Sequence, residues 1–116
     1  MAAPDGAREF YTGKNVCAPM VRISTLATRL LAHEYGADLV YGEELVDKRF
    51  MHCRRILNKE LGSVDFVDAK GTLTFRTVPE ERERVVFQVG TSSAASALKS
   101  AELVARDVAA IDVNMG

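Results

Sequence analysis

Several things are scarce in this sequence, and each shortage removes a class of function. No charge is in excess: 15 Lys and Arg face 16 Asp and Glu, for a formal net charge of −1. A nucleic-acid binder of the generally basic kind would carry a surplus of Lys and Arg, so any contact with RNA must be local. Cysteine is limited to Cys17 and Cys53, far apart and without a CxxC pair. Two scattered thiols exclude a disulfide scaffold and suit a reducing compartment, with each thiol buried for structural reasons. His33 and His52 stand alone, with no Cys, His or carboxylate at ligand spacing, so no metal site is expected. The opening MAAPDGAREFYTGK lacks the apolar core of a secretory signal, and no later run is long enough to span a bilayer. A cytoplasmic location is the resulting expectation.

What is present is ample apolar content, 47% of 116 residues, which fits one globular domain. Residues 1–14 read as a flexible polar leader. From Asn15 to Met20 runs a short apolar stretch, followed by a helical pattern that Ser24 or Thr25 can cap. Leu26, Leu30 and Leu31 form its stripe and Gly36 stops it. ADLVYGEE, residues 37–44, is a second apolar run. Val46, Phe50, Cys53 and Leu57 then recur at spacings of four and three, which predicts a second helix with Lys48–Lys59 as a mostly solvated basic face. SVDFVDAKGTLTFRTV predicts a hairpin around Ala69–Gly71. RVVFQVG is the third buried run. Ser92 or Ser93 caps a third helix along Ala94, Ala97, Leu98, Ala101 and Val104, and AAIDVNMG is the fourth run.

Near-continuous apolar strands alternating with amphipathic helices imply parallel βαβ units covered on both faces, the α/β class. Its two common solutions are the doubly wound sheet and the (β/α)₈ barrel, and both place chemistry at the carboxyl ends of the strands. Met20, Glu44, Gln88 and Asn114 each sit at or near such an end. Three polar ends after buried strands read as a rim of ligand-facing groups, against the plainer alternative that each begins a turn. PMVRIST stands where a GxGxxG loop would be, which disfavours the dinucleotide-binding sheet and favours the barrel. Asp112, in an apolar strand beside Val113, is a candidate hydrogen-bonded support for the rim. Tyr35 and Tyr41 could stack on a base, although packing is the commoner explanation and the one favoured here.

The succession APMVR, YGADLVYGEEL, RVVFQVGTS and DVAAIDVNMG resembles the tRNA-dihydrouridine synthases, in particular their eukaryotic branch acting at position twenty of the D-loop. The resemblance runs from about Asn15 to Gly116. It implies an incomplete domain, residues 15–116: a partial TIM (β/α)₈ barrel with about its first four parallel strands, three helices and an inserted β-hairpin. It further implies FMN as cofactor, NADPH as electron donor and tRNA as substrate. Hydride then goes to uracil C6, and a cysteine gives the proton to C5. By the same resemblance Ala18, Pro19 and Met20 line the flavin, Glu44 and Gln88 bind it, and Asn114 hydrogen-bonds the target uracil. Proline suits the first of these places because it fixes φ and gives up its N–H. Strand alternation sends Glu43 and Glu44 to opposite faces; the family pattern selects Glu44 as the inward one.

The sequence also departs from the family. NMG is there followed by the catalytic Cys-Pro, whereas here Gly116 is the last residue. Cys17 lies inside the first strand, and Cys53 is expected on a helix away from the rim, so neither replaces it. The expectation is a truncated portion with little or no activity by itself and with open sheet edges through which it self-associates. Two alternatives remain: another FMN-barrel oxidoreductase of the dihydroorotate or dihydropyrimidine dehydrogenase kind, and a non-enzymatic self-associating fragment.

Overall fold

The computed structural model describes residues 5–116. Helix α1 (Asp5–Tyr11) occupies much of the stretch that the sequence presents as a leader; residues 1–4 of that leader lie outside the described residues. Then come β1 (Val16–Cys17), α2 (Leu26–Glu34), β2 (Leu39–Tyr41), β3 (Leu45–Val46), α3 (Asp47–Phe50), β4 (Arg54–Asn58), β5 (Ser63–Val67) and β6 (Leu73–Thr77). The last elements are β7 (Val85–Gly90), α4 (Ala94–Val104) and β8 (Ala110–Asn114).

Five of the strands form one parallel sheet. β1 pairs with β2, β2 and β3 pair in succession with one side of β7, and β8 takes the other side. The spatial order is therefore the chain order, without the reversal that marks a doubly wound sheet. α2 packs on β2 and α4 on β7. A parallel sheet wound in sequence with helices against it is compatible with part of an α/β barrel.

β2 and β3 act as one interrupted strand. Four residue steps from Tyr41 to Leu45 face three from Val86 to Val89, so the Gly42–Glu44 segment holds one extra residue, a bulge. Gly42 fits there because a Cβ would stand 3.2 Å from the Phe75 ring.

The expected second helix is a correction. Only one turn forms, α3, and the chain then enters β4, the outer strand of an antiparallel sheet ordered β4-β5-β6. The expected hairpin exists as β5 and β6, but β4 widens it to three strands. Phe50 and Cys53 are buried as the helical spacing requires, yet Val46 and Leu57 are exposed. The spacing arises from a turn that aims Phe50 and Cys53 into the core. Asn58 Oδ1 accepts from the Leu61 N–H and Gly62 adopts φ +65°, which folds β4 back on β5. Full pairing from Arg54–Val67 to Asn58–Ser63 then prevails over an isolated short helix, which is marginal without tertiary support.

α2 also differs in detail. Thr25 is its N-cap and Gly36, at φ +112°, follows its end, but Leu30 and Leu31 are exposed while Arg29 is buried. Arg29 donates to both carboxylate oxygens of Glu81 and to the Ser24 and Arg76 carbonyls, and its guanidinium lies over the Phe75 ring. The main core joins the two sheets through Phe50, Phe66, Phe75 and Phe87, whose neighbouring ring centroids are 4.6–5.9 Å apart.

Candidate functional site

Alternation gives the parallel sheet two unlike faces. Val40, Val85, Phe87 and Val89 point to the core shared with the antiparallel sheet. The other face carries Leu39 and Tyr41 from β2, Val86 and Gln88 from β7, and Ala110, Asp112 and Asn114 from β8, as the register Tyr41–Val86, Gln88–Asp112 and Gly90–Asn114 requires.

On this second face the polar groups meet. Gln88 Nε2 donates to Asp112 Oδ2 at 2.8 Å, and Gln88 is only 8% exposed. The Tyr41 and Tyr11 hydroxyls are 3.0 Å apart, which brings α1 against the same face. Burial, the Tyr11 hydroxyl and the nearby Asp112 charge together hold the Tyr41 phenol above its ordinary pKa.

Glu44 belongs to this group because of the bulge. Simple alternation from Tyr41 would turn Glu43 toward Gln88; the extra residue turns Glu44 there instead. A Cβ on Gly90 would lie 2.9 Å from Glu44 Oε1, so the Glu44 side chain covers the end of β7. Glu43 accepts from the Arg22 N–H at 2.6 Å and thereby straps the loop after β1, where Arg22 adopts φ +67°. It is a loop fastener.

Ala18, Pro19 and Met20 form that loop at the same carboxyl edge, two strands from Gln88. Met20 donates its N–H to Ser24 Oγ and accepts at its carbonyl from Ile23 and Ser24, while its side chain stays 40% exposed. Asn114 is exposed, and its Oδ1 accepts from the Gly116 N–H. The structure thus gathers Glu44, Gln88 and Asn114 on one face and leaves Ala18, Pro19 and Met20 at its margin. Tyr11 gave no signal in the sequence, because only the fold brings residue 11 to residue 41.

Other candidates fall outside this rim. The basic stretch is divided between α3 and β4; Arg49 pairs with Asp68 and Arg55 with Asp107, which raises the Arg55 pKa. Cys53 sits between α3 and β4, its thiol 3.4 Å from Thr74 Oγ1, and Cys17 packs against the core. A cavity of about 580 Å³ lies between α2 and the antiparallel sheet, lined by Thr25, Leu26, Arg29, Leu61 and Leu73 among others, and none of Met20, Glu44, Gln88 and Asn114 lines it. Among the described residues no group of three His, Cys, Asp or Glu could hold a metal, and no helix is long and apolar enough to cross a membrane.

Residues 16–116, which contain every rim residue except Tyr11, match the model of the dihydrouridine synthase family. The chain belongs to that family. It is 44% identical to a tRNA-dihydrouridine(20) synthase [NAD(P)+] of Saccharomyces cerevisiae, over 91% of this chain and 29% of the relative. Identity to the protein of the same description from Schizosaccharomyces pombe is also 44%, over 91% of this chain and 23% of the relative. A tRNA-dihydrouridine(16/17) synthase of Schizosaccharomyces pombe is 33% identical, over 94% and 25%. The chain spans about a quarter of the length of these dihydrouridine synthase relatives. Helix α1 and its Tyr11 precede the segment that the family model matches.

Proposed function

We propose that this chain supplies the first four strand positions of a (β/α)₈ barrel whose protein reduces uridine to dihydrouridine in tRNA, with FMN as cofactor and NADPH as reductant. The observation that carries this is the rim: Gln88, Glu44 and Asn114 share the one sheet face that the core does not take, in a chain of the dihydrouridine synthase family.

The residues fit a flat heterocycle with mixed donors and acceptors. Gln88 Oε1 has no partner among the described residues although Gln88 is nearly buried, and the Met20 side chain at the margin offers a soft apolar surface. Gln88 would pair with the polar edge of the ring, Ala18, Pro19 and Met20 would flank it, and Glu44 would sit beside it. Bound FMN supplies the hydride. Asn114, with an amide that both donates and accepts, would hold the uracil through its paired imide groups. The proton for the adjacent carbon comes from neither thiol here: Cys17 faces the core and Cys53 is buried behind it. The 116 residues alone are therefore expected to give no turnover.

FMN titration of the full-length protein, read by quenching of flavin fluorescence, tests the proposal. Gln88→Ala should weaken binding about threefold to tenfold, the value of one hydrogen bond. Dihydrouridine formed in an unmodified tRNA transcript with NADPH reports the reaction. Absence of FMN binding, or reduction of another pyrimidine in preference to tRNA, would overturn it.

A further inference from the structure

We propose that Asp112 is a positioning residue, which fixes the Gln88 amide with its oxygen turned to the open face, so that the rim reads an N–H donor on its ligand. This rests on the proposed function, in which that ligand is FMN and the donor is its ring imide N–H.

A glutamine amide is ambivalent: a half-turn exchanges its oxygen and nitrogen, and the two orientations differ only through the partners they find. Here the partner removes the ambivalence. Gln88 and Asp112 are directly paired across β7 and β8, so their side chains leave the same face side by side. The amide nitrogen lies 2.8 Å from Asp112 Oδ2. An ionised carboxylate only accepts, and its hydrogen bonds are stronger than neutral ones. The flipped amide would set Oε1 against that carboxylate, two acceptors at contact distance in a site where Gln88 is 8% exposed.

Two neighbouring observations favour this assignment. Asp112 forms no ion pair among the described residues, so its charge is not committed to a cation. Gln88 Oε1 has no partner among the described residues, and the Tyr41 and Tyr11 hydroxyls pair with each other. A half-buried carboxylate that holds an amide nitrogen, beside an amide oxygen left open, is an arrangement that selects a donor.

The test is a mutant cycle in the full-length protein with FMN affinity as readout. Asp112→Ala and Gln88→Ala should each weaken FMN about threefold to tenfold, and the double variant should be no weaker than Gln88→Ala alone. Asp112→Asn, nearly the same shape, permits either amide orientation. The unsubstituted protein should prefer FMN over 3-methyl-FMN, which lacks the imide N–H, and Asp112→Asn should lose most of that preference while keeping its far-ultraviolet dichroism. Unchanged affinity in Asp112→Ala, losses that multiply in the double variant, or an intact preference in Asp112→Asn would each overturn the role of Asp112 and leave the function standing. An unsubstituted protein that binds no FMN would overturn both.

Discussion

Gly90 shows how one absent methyl group arranges a site. Its position is extended backbone that any residue could adopt, so the requirement for glycine is the Glu44 carboxylate 2.9 Å from where a Cβ would stand. The obstructing atoms are the far end of a flexible side chain, which can swing away. Gly90→Ala should therefore change stability by no more than about 1 kcal/mol while displacing Glu44 from the rim. A thermal midpoint within a few degrees, combined with weakened FMN binding, is the expected result; equal affinity would show that Glu44 does not touch the ligand. Asp65 behaves differently. Arg76 above all, with help from Ser63 and Asn58, holds its carboxyl down from 3.8 to about 2. The folded value lies below the ordinary one, so the stabilisation is fully present above pH 3.8 and is lost as pH falls toward 2. In acid denaturation, the advantage of the unsubstituted protein over Asp65→Asn should shrink across that interval, and a constant advantage would refute the assignment.

Among the elements, the fastening of α2 is the most sensitive to substitution. Arg29 and Glu81 are 3% and 1% exposed at their side chains, and Thr77 Oγ1 also donates to Glu81. Arg29→Met leaves a buried carboxylate without its cation and should cost about 3–5 kcal/mol in urea unfolding. Arg29→Met with Glu81→Leu should cost less than the single change, because no charge is then stranded; a more damaging double variant would contradict this. The same pair marks the limit of what the sequence discloses. β7, β8, α4 and the β5–β6 hairpin are readable from local period and turn residues, since apolar runs and the Asp68–Thr72 turn carry their own signals. The burial of Arg29 has no local signal, because its partner lies 52 positions away. The β4 segment carries a helical period because Phe50 and Cys53 fit it, whereas the Asn58–Gly62 turn is the sign of a strand pair. Within the rim, the strand ends were readable from alternation, and Glu44 came from family likeness. The contact of Gln88 with Asp112 depends on a register that no local pattern contains.

At the scale of the whole molecule, the parallel sheet ends in β1 on one side and β8 on the other, and Val16 and Val113 on these outer strands are 43% and 46% exposed. Outer strands with unpaired backbone groups invite further strands. The 116-residue chain, studied alone, should sediment above its 12.7 kDa mass and grow heavier with concentration; a monomer at all concentrations would exclude such pairing. The extra residue between Tyr41 and Leu45 reaches furthest, because it sorts two adjacent acids that composition treats as equals. Excising Gly42 would restore the strand's parity at the expense of one acid: Glu44 would still turn toward Gln88, but Glu43 would be driven from the Arg22 loop onto the apolar side of the sheet. Length, in this segment, does the work elsewhere left to side-chain identity.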